Sequence, residues 1–300
     1  MDDRHKIVPP SRTAVVLGGG GTQAFFEVWA LSFLEKYKIP IDEVVGVSAG
    51  SIIGASFVSE NFSTKAQIKE WLSFKNPSDI FKRRPIRNFL SNFGMPESVY
   101  TMEKLEEIVS RIDFKKLIAH PKTFIAATTE IPDNKAVYFS NKNPEIVASP
   151  EIMKQAILAS SAIFGVFPSV KMKFGGKTRE LIDGAAKRPL PLKKVIRYDG
   201  CNTVIVIRCR SSSIKRMAPK KWLSRMAYDR GLSLNNAEKD EINFIRERAF
   251  GVNLFVIEPE WLPETLSPYG FKKGDFERVL KQDTKALEEE LRPLLEYYGV

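Results

Sequence analysis

From Thr13 onward the chain alternates short apolar runs with stretches of helical periodicity. TAVVL (13–17) reads as a buried strand that runs into four consecutive glycines, Gly18 to Gly21. In TQAFFEVWALSFLEKYKI (22–39), Phe25, Val28, Trp29, Leu31, Phe33 and Leu34 fall at helical spacing. Val44–Val47 reads as a second strand, and the small apolar run AGSIIGASFVS after Ser48 suits a tightly packed helix. Strand, loop, helix, strand, turn, helix predicts an α/β fold whose central sheet is mainly parallel and flanked by helices.

The pattern then becomes less regular. KAQIKEWLSF (65–74) and MEKLEEIVSRI (102–112) are amphipathic helices, and KTFIAATTE (122–130) and KAVYFS (135–140) are strands. PEIMKQAILASSAIF is a helix entered at Pro150, and RELID (179–183) is a short strand that breaks into a loop rich in Gly and Pro. NTVIVIRC and VNLFVIEP are two β-branched strands, and residues 274–299 read as one long amphipathic helix. There is no internal repeat and no low-complexity linker. The expected organisation is a polar arm at 1–12 followed by a single domain at 13–300.

With 300 residues and 43% hydrophobic content, the chain can bury an ordinary globular core. Its two cysteines, Cys201 and Cys209, make neither a disulfide framework nor a metal-ligand set, and no cofactor is expected. The charged start lacks the apolar core of a signal peptide, and no uninterrupted apolar run approaches the ~18 residues of a spanning helix. The expected location is cytoplasmic, with peripheral contact at a membrane. The net charge of +10 favours anionic partners. Two basic segments, 82–87 and 208–230, interleave cations with apolar residues, as in the Trp222-Leu223-Met226 face. They read either as solvated surface or as contacts to an anionic bilayer. No zinc-ligand set, aromatic nucleic-acid signature or helix-turn-helix is present, so nucleic acid is not an expected partner.

Chemistry concentrates at three places. Gly46-Val47-Ser48-Ala49-Gly50 sets a serine between glycines where a strand meets a helix, the form of a nucleophile elbow. Packing alone would also account for such glycines. Gly18–Gly21 admits three readings. A phosphate loop fails because no Gly-Lys-Ser/Thr follows, and a dinucleotide fingerprint, Gly19-x-Gly21-x-x-Ala24, has its acids, Asp42 and Glu43, before the next strand rather than after it. An oxyanion hole of bare backbone amides is the third. The base for a serine is the open question. Of the two histidines, His5 lies in the polar arm and His120 in a loop before a strand, and nothing ties either to Ser48. Asp183, in Leu-Ile-Asp-Gly-Ala, stands at a strand end with room around it, and reads equally as a plain Asp-Gly turn.

Three blocks, in this order, resemble the patatin-like phospholipases: VVLGGGGTQAFFEVWAL, IDEVVGVSAGSIIGA, and AILASSAIFGVFPSVKMKFGGKTRELIDGAAKRPLPL. They cover the first two-thirds of the chain. The resemblance implies a patatin-like three-layer architecture and a lipid acyl hydrolase of phospholipase A or lysophospholipase type. It implies Ser48 as nucleophile and Asp183 as base. It also implies the amides of Gly19, Gly20 and Gly21 as the oxyanion hole, and an acyl-enzyme released by water. The family block runs Gly-Gly-Gly-x-Arg/Lys-Gly; here Gln23 replaces the basic residue and Ala24 the last glycine. Gln23 removes a positive charge beside the loop and leaves open a weakly active or inactive lipid-binding protein as the alternative. The irregular region 75–100 is a candidate lid.

Overall fold

The computed structural model describes residues 7–84, 98–210 and 222–300; the side chains at 222–224 and 226–227 fall outside the description. Helices alternate with strands through the first half. In chain order the elements are β1 (Thr13–Leu17), α1 (Phe25–Lys36), β2 (Glu43–Val47), α2 (Ala49–Ser59) and α3 (Lys65–Ser73). Next come β3 (Lys82–Arg83), β4 (Tyr100–Thr101), α4 (Glu103–Val109), α5 (Phe114–Ala119), β5 (Thr123–Ile131) and β6 (Lys135–Ser140). Then follow α6 (Pro144–Ala148), α7 (Pro150–Ser160), β7 (Val170–Phe174), β8 (Lys177–Asp183) and β9 (Thr203–Ile207). The chain closes with α8 (Trp222–Arg248), β10 (Asn253–Ile257), α9 (Asp275–Leu280) and α10 (Lys285–Tyr298).

The eight-stranded sheet has the order β10-β9-β1-β2-β5-β8-β7, with β6 also on β5. The strands from β10 to β5 are parallel, and β6, β8 and β7 pair antiparallel. The alternation in β1 buries both faces, as a parallel sheet between helical layers requires. Val15 and Leu17 join the cluster formed with α1 and α2, while Ala14 and Val16 join Leu190, Val195, Ile242 and Ile245 on the opposite face.

One detail of register positions the site. Strand β5 has three partners but only two edges. β6 pairs with 125–130 and so occupies one edge, while β2 pairs with 123–127 and β8 with 128–131. Strands β2 and β8 therefore share the other edge end to end. Val47 lies opposite Ala127 and Asp183 opposite Thr128, so the C-terminal ends of the two strands meet.

One expectation changes and two elements are added. The tail is two helices, because Lys281-Gln282-Asp283-Thr284 interrupts the apolar stripe and Asp283 Oδ1 accepts the Lys285 N–H at 3.0 Å. The 27-residue α8 carries only a sparse apolar stripe, which hid most of it. Strand β7 lay unread within the third sequence block, although V-K-M-K-F alternates and Gly175-Gly176, at φ +62° and +75°, form its turn into β8.

Candidate active site

Ser48 follows β2 and opens α2 with φ 56° and ψ −132°, a conformation costly for a residue with a side chain. The surroundings impose it. Its N–H donates to Ser160 Oγ at 2.9 Å, and Ser160 Oγ donates to the Ala127 carbonyl at 2.7 Å. The Ser48 carbonyl accepts from Ser51 N–H at 2.9 Å, Ser51 Oγ at 2.7 Å and Ser161 Oγ at 3.2 Å. The flanking glycines are obligatory on steric grounds. A Cβ at Gly46 would lie 2.4 Å from the Gly50 carbonyl oxygen, and one at Gly50 would lie 2.7 Å from that of Leu17. Ser48 is 7% exposed, and the free amides of the first turn of α2 surround it with positive potential.

Asp183 ends β8 and is buried. Its N–H donates to the Ala162 carbonyl at 2.9 Å, which ties the strand end to the end of α7. Its Oδ1 accepts the Ala185 N–H at 2.8 Å, and its carboxylate lies close enough to the Ser48 hydroxyl for the two to interact electrostatically. Burial raises its pKa. The Ser48 hydroxyl, the charge of Arg230, the Ala185 amide and the charge of Arg210 all act in the opposite direction. The residues 48 and 183, distant in sequence, are thus brought together. His120 is not: it stands before the first residue of β5, at the opposite end of the sheet, in contact with Asn61 and Phe62. His5 lies outside the described residues.

The glycine loop meets the serine directly. A Cβ on Gly19 would lie 2.9 Å from Ser48 Cβ, and Gly19 itself is at φ +68°. Its amide, however, donates to Glu27 Oε1 at 2.7 Å, so of the three expected oxyanion donors Gly19 is already committed. Gly18 N–H goes to Ile207 O and Thr22 N–H to Pro268 O, whereas the amides of Gly20 and Gly21 have no partner among the described residues. Glu27 is buried, and desolvation pushes its pKa up to about 8 against the hydrogen bond from Cys209 and the Gly19 amide. Gln23 is buried and donates through Nε2 to the Leu266 carbonyl at 3.3 Å.

Ser48 and Gly21 line a cavity of about 210 Å³ whose other walls include Ile52, Trp71, Phe74 and Phe167. Ile80 and Phe81, from the candidate lid, also form walls; residues 85–97 of that region lie outside the description. An apolar chamber opening beside a hydroxyl is suited to a hydrocarbon chain whose carbonyl reaches the serine. The dinucleotide reading finds no acid where it needs one. Asp42 is held at the other end of β2 by Thr13 N–H (2.9 Å) and Lys122 (2.7 Å).

Ser160, Ser161 and Glu27 carry no signal of their own in the sequence: the two serines reach Ser48 across the fold, and Glu27 reaches the Gly19 amide from the first turn of α1. Arg208 and Arg210 open the basic segment 208–230, which the sequence presents as either solvated surface or bilayer contact. Yet Arg208 is 2% exposed and paired with Glu238 and Glu258, and Arg210 is paired with Glu238 at 2.5 Å. Their charges face inward because Glu238, wholly buried on α8, draws both. Of that segment 211–221, and of the other 85–87, lie outside the described residues. Among the described residues, no helix is long and apolar enough to cross a membrane.

Residues 15–196 match the family model described as patatin-like phospholipase. Patatin-like phospholipase domain-containing protein 6 of Mus musculus is 36% identical over 78 residues, which is 23% of this chain and 6% of that protein. Lysophospholipase NTE1 of Candida glabrata is 25% identical over 224 residues, 72% of this chain and 11% of that one. The chain therefore spans a small fraction of the length of these curated relatives. Among solved structures, VipD from Legionella pneumophila aligns over 90% of this chain and 67% of its own, with a TM-score of 0.40 and 12% identity. The type III effector ExoU aligns over 92% of this chain and 54% of its own, with a TM-score of 0.34 and 14% identity.

Proposed function

The chain belongs to the patatin-like phospholipase family, and on that premise we propose that it cleaves fatty-acyl esters of lipids with Ser48 as nucleophile and Asp183 as base. The Ser48 oxygen attacks the ester carbonyl carbon while its proton passes to Asp183. The oxyanion of the tetrahedral intermediate accepts from the amides of Gly20 and Gly21 and from the positive end of α2. Collapse expels the alcohol, which takes the proton from Asp183. Water then gives a proton to Asp183 and attacks the acyl-enzyme, the fatty acid leaves, and the proton returns to Ser48. A buried carboxylate of raised pKa is a stronger base than a solvated one, which compensates for the missing imidazole.

The observation that carries this reading is the meeting of the C-terminal ends of β2 and β8, which sets Ser48 and Asp183 side by side next to an apolar cavity. The cavity suits one acyl chain, which favours phospholipase A or lysophospholipase action. Phe164, 69% exposed and next to the cavity wall residue Ile163, supports work at a lipid surface. Residues 13–300 are taken as one hydrolase domain, since β9 and β10 extend the same sheet. The test is a panel of esters, from short soluble chains to phospholipid vesicles, run on wild type and Ser48→Ala. The expected result is fatty-acid release that falls about 10⁴-fold or more in the variant. Binding to vesicles with no turnover of any ester would instead favour the non-catalytic alternative.

A further inference from the structure

The Gly19–Gly20 peptide is gripped at its carbonyl. Arg210 Nη1 donates to Gly19 O at 3.5 Å and to Glu238 Oε1 at 2.5 Å. Glu238 is 0% exposed and also pairs with Arg208 at 3.0 Å, so the guanidinium of Arg210 is anchored to α8 and β9 together. Gly19 N–H is separately held by Glu27. In a trans peptide the C=O and the following N–H point in opposite directions. Fixing the Gly19 carbonyl toward Arg210 therefore fixes the Gly20 N–H away from it. Glycine has no side chain to resist rotation of that plane, so without a clamp the amide is free to flip.

Resting on the serine hydrolase reading above, we propose that Arg210 is a positioning residue for the oxyanion hole: it holds the Gly19 carbonyl so that the Gly20 amide is presented as the donor. It occupies the electrostatic role left open by Gln23, which is turned to Leu266. The charge comes from beyond the family-matched segment, from the end of β9 rather than from the glycine block. The same guanidinium also favours the ionised form of Asp183.

The test compares wild type, Arg210→Ala and Arg210→Lys in fatty-acid release, with melting curves as the fold control. Arg210→Ala is expected to lower kcat about 10²-fold with KM changed less than about twofold. Added guanidinium ion is expected to restore at least about tenfold of that loss, and Arg210→Lys to keep more activity than Arg210→Ala. A second measurement needs no variant: in ¹⁵N-glycine-labelled wild type, phosphonylation of Ser48 should move the Gly20 amide proton downfield and leave that of Gly19 in place. Unchanged kcat in a folded Arg210→Ala, loss without guanidinium rescue, or a downfield shift at Gly19 instead of Gly20 would each overturn the assignment. Wild type that releases no fatty acid and takes no phosphonate would sink the serine reading itself. Turnover lost in Ser48→Ala but untouched in Arg210→Ala would sink only this inference.

Discussion

Ser48 and Asp183 became legible from three short blocks read together, because each block encodes a local necessity. The glycines at 46 and 50 admit the elbow, and Gly184 follows Asp183 because a Cβ there would lie 2.3 Å from the Ala127 carbonyl. Ser160 and Arg210 were not legible, since their partners lie far away in sequence: Ser48 and Ser160 are 112 residues apart. Glu27 is only eight residues from Gly19, but a lone acid in an apolar helix carries no mark of a backbone partner. Two pH dependences follow at this scale. Asp183 must be ionised to accept a proton, and burial raises its pKa. The rate is therefore expected to fall with acid, with a midpoint above the ordinary aspartate value of about 3.9; a pH profile of kcat checks this, and the limb should vanish in Asp183→Asn. For Glu27 the folded pKa of about 8 lies above the ordinary 4.5. Between those values the unfolded chain loses the proton while the folded one keeps it. Stability contributed by this group is thus complete below about pH 4.5 and is lost as pH rises through 8. Glu27→Gln is expected to flatten that decline in melting temperature.

At the scale of elements, the decisive feature is the shared edge of β5, where β2 and β8 arrive from opposite directions. No periodicity in the sequence encodes that meeting. Strand and helix identities were readable from alternation, yet pairing partners depend on long-range register. Leu280 and Leu287 keep the apolar spacing across the break at 281–284, so periodicity alone predicts one helix, whereas Asp283 capping the Lys285 amide starts a second. Helix α7 matters less for its length than for its end, where Ser160 bridges the Ser48 amide and the Ala127 carbonyl. Ser160→Ala would strand both buried backbone groups. The expected cost is about 1–3 kcal/mol in denaturant unfolding, together with slower acylation of Ser48.

Across the whole molecule, the part beyond residue 196 completes what the family-matched part begins. It supplies β9 and β10 to the sheet, α8 to its second face, and the Leu266 carbonyl to Gln23. Its cationic stretch looked like surface in the sequence because a charge run carries no mark of its partners. Glu238 lies 28 residues from Arg210, on a helix whose sparse apolar face gave little sign of burial. Glu238→Ala would leave Arg208 buried without its principal counter-charge, and the expected loss is about 3–5 kcal/mol in chemical denaturation.

The claim on which the account turns is that the Asp183 carboxylate activates the Ser48 hydroxyl. The direct measurement is the rate and site of fluorophosphonate labelling, followed by intact mass and peptide mapping, in wild type and in a folded Asp183→Asn variant. One phosphonyl group is expected, on Ser48, added about 10²–10⁴-fold more slowly when Asp183 is replaced. Labelling at another residue, or an equal rate in the two proteins, would contradict it.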